Sequence, residues 1–118
     1  MQRVPRATPT GALANELESA LADPTLTKVA QLEPRLHASV RTLQRVAARY
    51  FGLSLHSMIR RRRLQEAAQR IREEPQLALA ELATSLGYAD HAHFTTDFTT
   101  LLGMTPSAYR AAARAPTA

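Results

Sequence analysis

Residues 55–73, "LHSMIRRRRLQEAAQRIRE", decide how the rest of the chain is read. Their apolar side chains keep helical spacing but not a single face. At roughly 100° per residue Leu55, Met58 and Ile59 fall together, whereas Leu64, Ala67, Ala68 and Ile71 fall roughly 170° away. One core cannot bury both faces. The segment is therefore expected to be a connecting helix whose first half packs in one lobe and whose second half packs in another.

On its N-terminal side stands "HASVRTLQRVAARYFG", residues 37–52. Ser39 suits a helix N-cap, because its hydroxyl accepts from a free N–H of the first turn, and Gly52 suits a stop. Val40, Leu43, Ala47 and Tyr50 make an inward stripe, and Arg41, Gln44, Arg45 and Ala48 an outward one. Further back, Leu13, Leu17, Ala20 and Leu21 predict a helix ending near Asp23 and Pro24. A second, short helix starts at about Leu26 with Val29 and Ala30 inward, and Pro34 is expected to kink it or end it early. The first ten residues, holding Pro5 and Pro9, read as a loose arm.

On the C-terminal side, Leu79, Leu82, Ala83 and Leu86 predict a helix stopped by Gly87. Another starts at the N-cap Asp90, turns Phe94, Phe98, Leu101 and Leu102 inward, and stops at Gly103. Thr105 and Pro106 form a cap and first-turn pair for a last helix containing Tyr109. The expected fold is all-α, with about seven helices in two helix-turn-helix lobes: 11–53, then the connecting helix 54–74, then 75–113, between an arm at 1–10 and a tail at 114–118.

Composition narrows the function classes. The chain has 118 residues, 45% apolar, enough for one domain or two small lobes and too few for a large catalytic domain. It has no Cys, which removes disulfides, thiolate metal sites and cysteine nucleophiles. No apolar run reaches the roughly 18 residues of a membrane span, and "MQRVPRATPTG" lacks the apolar stretch of a signal peptide, so export and membrane spanning are disfavoured and a cytoplasmic protein is expected. The net charge of +5 is uneven. Residues 35–72 hold ten Arg against Glu66 alone, while the flanking thirds are slightly acidic. Such a block marks a polyanion-binding surface or a solvated helix face.

Three motifs carry a family resemblance. "SVRTLQR" looks like the first recognition helix of the AraC/XylS transcription regulators, and "IRRRRLQEAAQRI" is similar to their connecting helix. "LAELATSLGYADHAHFTTDFTTLLGMTPSAYR" resembles their second helix-turn-helix signature. The similarity covers about residues 12–112. It implies a C-terminal-type DNA-binding domain that presents two recognition helices to successive major grooves of double-stranded DNA. Carried over by position, it assigns base reading to Arg41, Gln44 and Arg45 in the first lobe and to His91, Ala92 and Thr96 in the second. Arg60 falls on a position that meets the DNA backbone, and Ser39 is set beside it in that role. RNA polymerase is a candidate partner, and no small-molecule effector is expected within this domain.

The chemistry fits those assignments. A guanidinium donates twice to guanine O6 and N7, and a Gln amide pairs with adenine N6 and N7. Arg49 and some of Arg60, Arg61, Arg62 and Arg63 suit phosphates, which position a protein without reading sequence; the remaining arginines of that run are expected in water or paired with acids. Departures from the family pattern are equally informative. Glu33 and His37 stand where a small residue and a Gly are usual, so that turn is expected to be distorted, and Ala47 replaces a Phe, a thinner core for Tyr50 or Phe51 to fill. Thr96 and Thr99 replace basic residues, and residues 88–103 contain no Lys or Arg. The first lobe is therefore expected to dominate binding.

Other chemistry is disfavoured. His91 and His93, two residues apart, point to different helix faces, so no metal or cofactor is expected. Ser39, Ser54 and Ser107 are explained as caps, and an enzyme is not expected. Two rivals stay open: a protein-interaction module of the same fold with weak DNA binding, and a nonspecific nucleic-acid binder using the basic middle third.

Overall fold

The computed structural model describes residues 9–114. Among these it contains seven α-helices and no strand: α1 (Pro9–Leu21), α2 (Leu32–Leu36), α3 (Val40–Phe51), α4 (Leu55–Glu73), α5 (Leu79–Ser85), α6 (His91–Leu102) and α7 (Pro106–Arg114), with a 3-10 turn, Val29–Gln31, before α2. The expected arm falls on residues 1–8, outside the described residues, while Pro9 and Thr10 already belong to α1. Proline is favourable in a first helical turn because its missing N–H has no partner there to lose. Residues 115–118 of the expected tail likewise lie outside the described residues.

The chain divides between Arg62 and Arg63 into two compact units. In the first, Leu17, Leu32, Leu43 and Leu55 are completely buried, with Val46, Met58 and Ile59 nearly so. Tyr50 and Phe51 pack against this core beside Ala47, filling the space that the small side chain leaves. In the second unit Phe94, Phe98, Leu64, Leu82 and Leu86 are completely buried or almost so, and Leu102 and Tyr109 close over them. Each such side chain contributes about 1.5–3 kcal/mol through removal of apolar surface from water. The change of apolar face in α4 has its expected outcome: Leu55, Met58 and Ile59 belong to the first core, and Leu64, Ala67, Ala68 and Ile71 to the second.

Three local expectations need correction. Ala30 is exposed, not inward. Its segment is a 3-10 turn, where residues three apart align, so Val29 and Leu32 face the core and Ala30 does not. Pro34 neither kinks nor ends α2, because the helix begins at Leu32 and the proline falls in its first turn. Leu101 is 45% exposed. The buried stripe of α6 follows the slanting i, i+4 row of Phe94, Phe98 and Leu102, and Leu101 stands about 100° from Leu102.

The turn from α2 to α3 is closed by a residue in a strained backbone conformation. His37 takes the left-handed conformation, φ 52° and ψ 42°, that a Gly would take there, and ends α2. Glu33, the other departure from the family pattern, accepts from the Val40 N–H at 3.3 Å with Oε2 and so occupies one of the free donors at the start of α3. Before α2, Asp23 folds its own loop. Its Oδ1 accepts from the Thr25 N–H and hydroxyl, both at 2.8 Å, and its Oδ2 pairs with Arg35 at 2.6 Å. Those hydrogen bonds, the Thr25 backbone bond foremost, hold its carboxyl down at about 2.

Candidate nucleic-acid interface

Helix α3 starts where its cap requires. The Ser39 hydroxyl accepts from the Thr42 N–H at 3.1 Å and its own proton goes to Thr42 Oγ1 at 3.1 Å; Gly52, at φ 67°, ends the helix. Leu43, Val46 and Ala47 anchor the inner face. That anchoring leaves Arg41, Arg45 and Arg49, four residues apart, exposed in one column on the outer face. Ala48 is exposed beside them and adds no bulk. The Arg49 guanidinium lies over the Tyr50 ring, 5.4 Å from its centre.

Gln44, assigned to the same reading face, is placed differently. It is half-buried, and its Oε1 accepts from the backbone N–H of Leu55 at 3.2 Å, the first residue of α4. It therefore serves as a cap to the next helix. Beside the arginine column runs an open cleft of about 350 Å³ lined by Thr10, Thr42, Arg45, Val46, Arg49 and Tyr50. Thr10 Oγ1 and the Tyr50 hydroxyl meet across it at 2.9 Å. Sequence reasoning missed Thr10, which it placed in the arm; Pro9 as a helix-opening residue was the signal that could have found it.

The arginine run of α4 divides by direction. Arg60 and Arg61 are exposed. Arg62 donates to the Leu26 carbonyl at 2.6 Å in the first unit, and Arg63 lies over the Tyr88 ring, 5.4 Å from its centre, in the second. Arg62 thus meets a carbonyl oxygen and Arg63 an aromatic face, partners that the sequence did not suggest.

In the second unit, Asp90 caps α6 by accepting from the His93 N–H at 2.7 Å, and Gly103, at φ 81°, ends it. His91, Ala92 and Thr96 are all exposed. His91 stacks on Phe94 with ring centres 6.2 Å apart and planes 20° from parallel. The hydroxyls of Thr99 and Thr100 donate to the carbonyls of Thr95 and Thr96, at 2.7 and 2.9 Å, so they are satisfied within the helix. Asp97 accepts from the Tyr88 hydroxyl at 3.0 Å and stands 3.5 Å from His93 Nε2, an ion pair when that histidine is protonated. Burial first, and then the Asp97 carboxylate, push the Tyr88 hydroxyl up to about 12. Apart from His93, α6 sets no basic side chain against this acid, because the helix has no Lys or Arg.

Among the described residues no three His, Cys, Asp or Glu side chains gather as metal ligands would, and no helix is long and apolar enough to cross a membrane. Comparison with known proteins is consistent with this architecture. The family described as "Helix-turn-helix domain" matches residues 32–112. Among solved structures, an AraC-type transcriptional regulator from Chromobacterium violaceum superposes with a TM-score of 0.78 at 18% identity, over 90% of this chain and 96% of that one. The C-terminal domain of AraT, a response regulator from Geobacillus stearothermophilus, gives 0.72 at 22% identity, over 96% and 92%. The transcriptional regulator CdpR from Pseudomonas aeruginosa gives 0.67 at 26% identity, over 86% of this chain and 31% of that one. No curated protein sequence matches the chain significantly. The family match spans α2 to α7 and the likeness in fold extends over both units, so the chain belongs to the AraC-type helix-turn-helix family of DNA-binding transcription regulators.

Proposed function

We propose that this chain binds double-stranded DNA with sequence specificity, entering one major groove with α3 and the next with α6, and that the first unit supplies most of the discrimination. The observation that carries the reading is the exposed column Arg41, Arg45 and Arg49 on a helix capped by Ser39 and anchored by Leu43, Val46 and Ala47. Arg41 and Arg45, toward the start of the helix, suit guanine edges, each bidentate pair worth about 1–3 kcal/mol against the wrong base. Arg49, Arg60 and Arg61 suit phosphates. Ser39 is already engaged in its cap, so its part in DNA binding is to fix the start of α3. His91, Ala92 and Thr96 form the exposed start of α6 and offer one histidine, a methyl and a hydroxyl, a weak readout. Successive grooves on one face of a duplex lie about 10 bp apart, so one chain would cover an asymmetric site of roughly 20 bp.

The test is a binding titration on a duplex site at fixed salt. Arg41→Ala and Arg45→Ala should each weaken binding more than His91→Ala, and the salt slope should persist in all three. A loss at position 91 equal to or larger than that at 41 overturns the dominance of the first unit. A second reading has its own support in Leu101 and Met104, which are exposed on a helix end without basic residues. In it the second unit contacts a protein partner such as RNA polymerase, and DNA affinity is weak and nearly independent of sequence.

A further inference from the structure

Gln44 stands between Arg41 and Arg45 in sequence but differs from them in having half of its amide already committed. A backbone N–H can only donate, so the Leu55 N–H at 3.2 Å identifies the amide oxygen as the atom facing α4. The nitrogen, on the other arm of the planar amide, then points away from Leu55. Among the described residues it has no hydrogen-bond partner and is not fully buried, so its protons remain available to a molecule lying against α3. The bidentate pairing of a Gln amide with adenine needs oxygen and nitrogen together, to accept from N6 and donate to N7. Here the oxygen is occupied.

We infer that Gln44 reads duplex DNA as a donor only, selecting guanine in place of adenine. The inference rests on the proposed entry of α3 into the major groove. Guanine presents two adjacent acceptors, O6 and N7, between which one NH₂ group can be shared; thymine presents O4 alone. Adenine offers N7 but sets its N6 donor beside it, so an NH₂ group shared across the two would meet another donor, and cytosine offers only a donor. The half-burial of the side chain and its bond to Leu55 pre-orient the amide, so little rotamer freedom remains to be lost on binding.

The experiment is selection of bound sequences from a random duplex library with three proteins: the wild type, Gln44→Met and Gln44→Glu, each checked for cooperative thermal unfolding. Gln44→Met removes the amide, so the base position that loses its preference is the one Gln44 reads. At that position the wild type should favour guanine over adenine by about tenfold, the size of one good hydrogen-bonding contact. Gln44→Glu keeps an oxygen for the Leu55 N–H but turns a second oxygen outward, and should move the same position toward cytosine or adenine while the others hold. If the Met variant fails to fold, the Glu variant alone decides by whether one position switches. Adenine as the wild-type preference, or a consensus that neither variant alters, overturns the inference and leaves the proposed function intact. No enriched sequence with the wild type overturns that function, and this inference with it.

Discussion

Replacing His37 by glycine should stabilise the first unit. His37 is exposed and sits at φ 52° and ψ 42°, the only non-glycine residue with positive φ among those described. For an L-residue that conformation costs about 1–2 kcal/mol, because Cβ approaches the following carbonyl, whereas glycine adopts it freely. Glycine also loosens the unfolded chain, which takes back about 0.4–1 kcal/mol. The net gain for His37→Gly is therefore about 0.5–1 kcal/mol, or roughly 2–8 °C in Tm for a unit of this size. Thermal unfolding of the full chain reads it, and if the units melt separately the shift belongs to the transition of the first. His37→Ala is the control, since it keeps a Cβ in the same turn and should match the wild type or fall slightly below it. A glycine variant no more stable than the alanine variant would falsify the claim that this turn carries backbone strain.

Removing the cap of α3 or of α6, by Ser39→Ala or Asp90→Ala, should cost about 1 kcal/mol in denaturant unfolding, because each leaves an N–H of the first turn without its acceptor. At high pH, Tyr88 supplies a signed test. Its hydroxyl titrates near 10 in the unfolded chain and at about 12 in the fold, so the folded state holds the proton more tightly; its contribution is complete below 10 and is lost as pH rises toward 12. Tyr88→Phe should flatten urea midpoints across that window. Acid gives the opposite sign at Asp23, whose contribution is present above about 4 and lost as pH falls toward 2, so Asp23→Asn should remove that part of the acid slope. Finally, Leu101→Gln should change stability by less than about 0.5 kcal/mol, whereas Leu17→Ala, from the fully buried core of the first unit, should cost about 2–5 kcal/mol. Equal losses for the two would show that Leu101 is covered in solution.

Much of this protein is determined by local chemistry that a linear reading can follow. Ser39, Asp90 and Thr105 make their helix caps, and Gly52 and Gly103 end helices with positive φ, because capping and left-handed turns depend on residues only a few positions apart. The switch of apolar face within 55–73 was equally legible, since helical spacing alone sets which side chains share a side. Tertiary structure decided the rest, wherever a polar group had more than one partner within reach. Whether the Gln44 amide keeps both its ends free or commits its oxygen to the Leu55 N–H, whether Arg62 and Arg63 face water or meet a carbonyl and a ring, and whether His37 can stand in for a glycine depend on the placement of residues 11 to 36 positions away or on the geometry of a whole turn. Periodicity specifies a direction around a helix, but the neighbour that waits there is specified only by the fold.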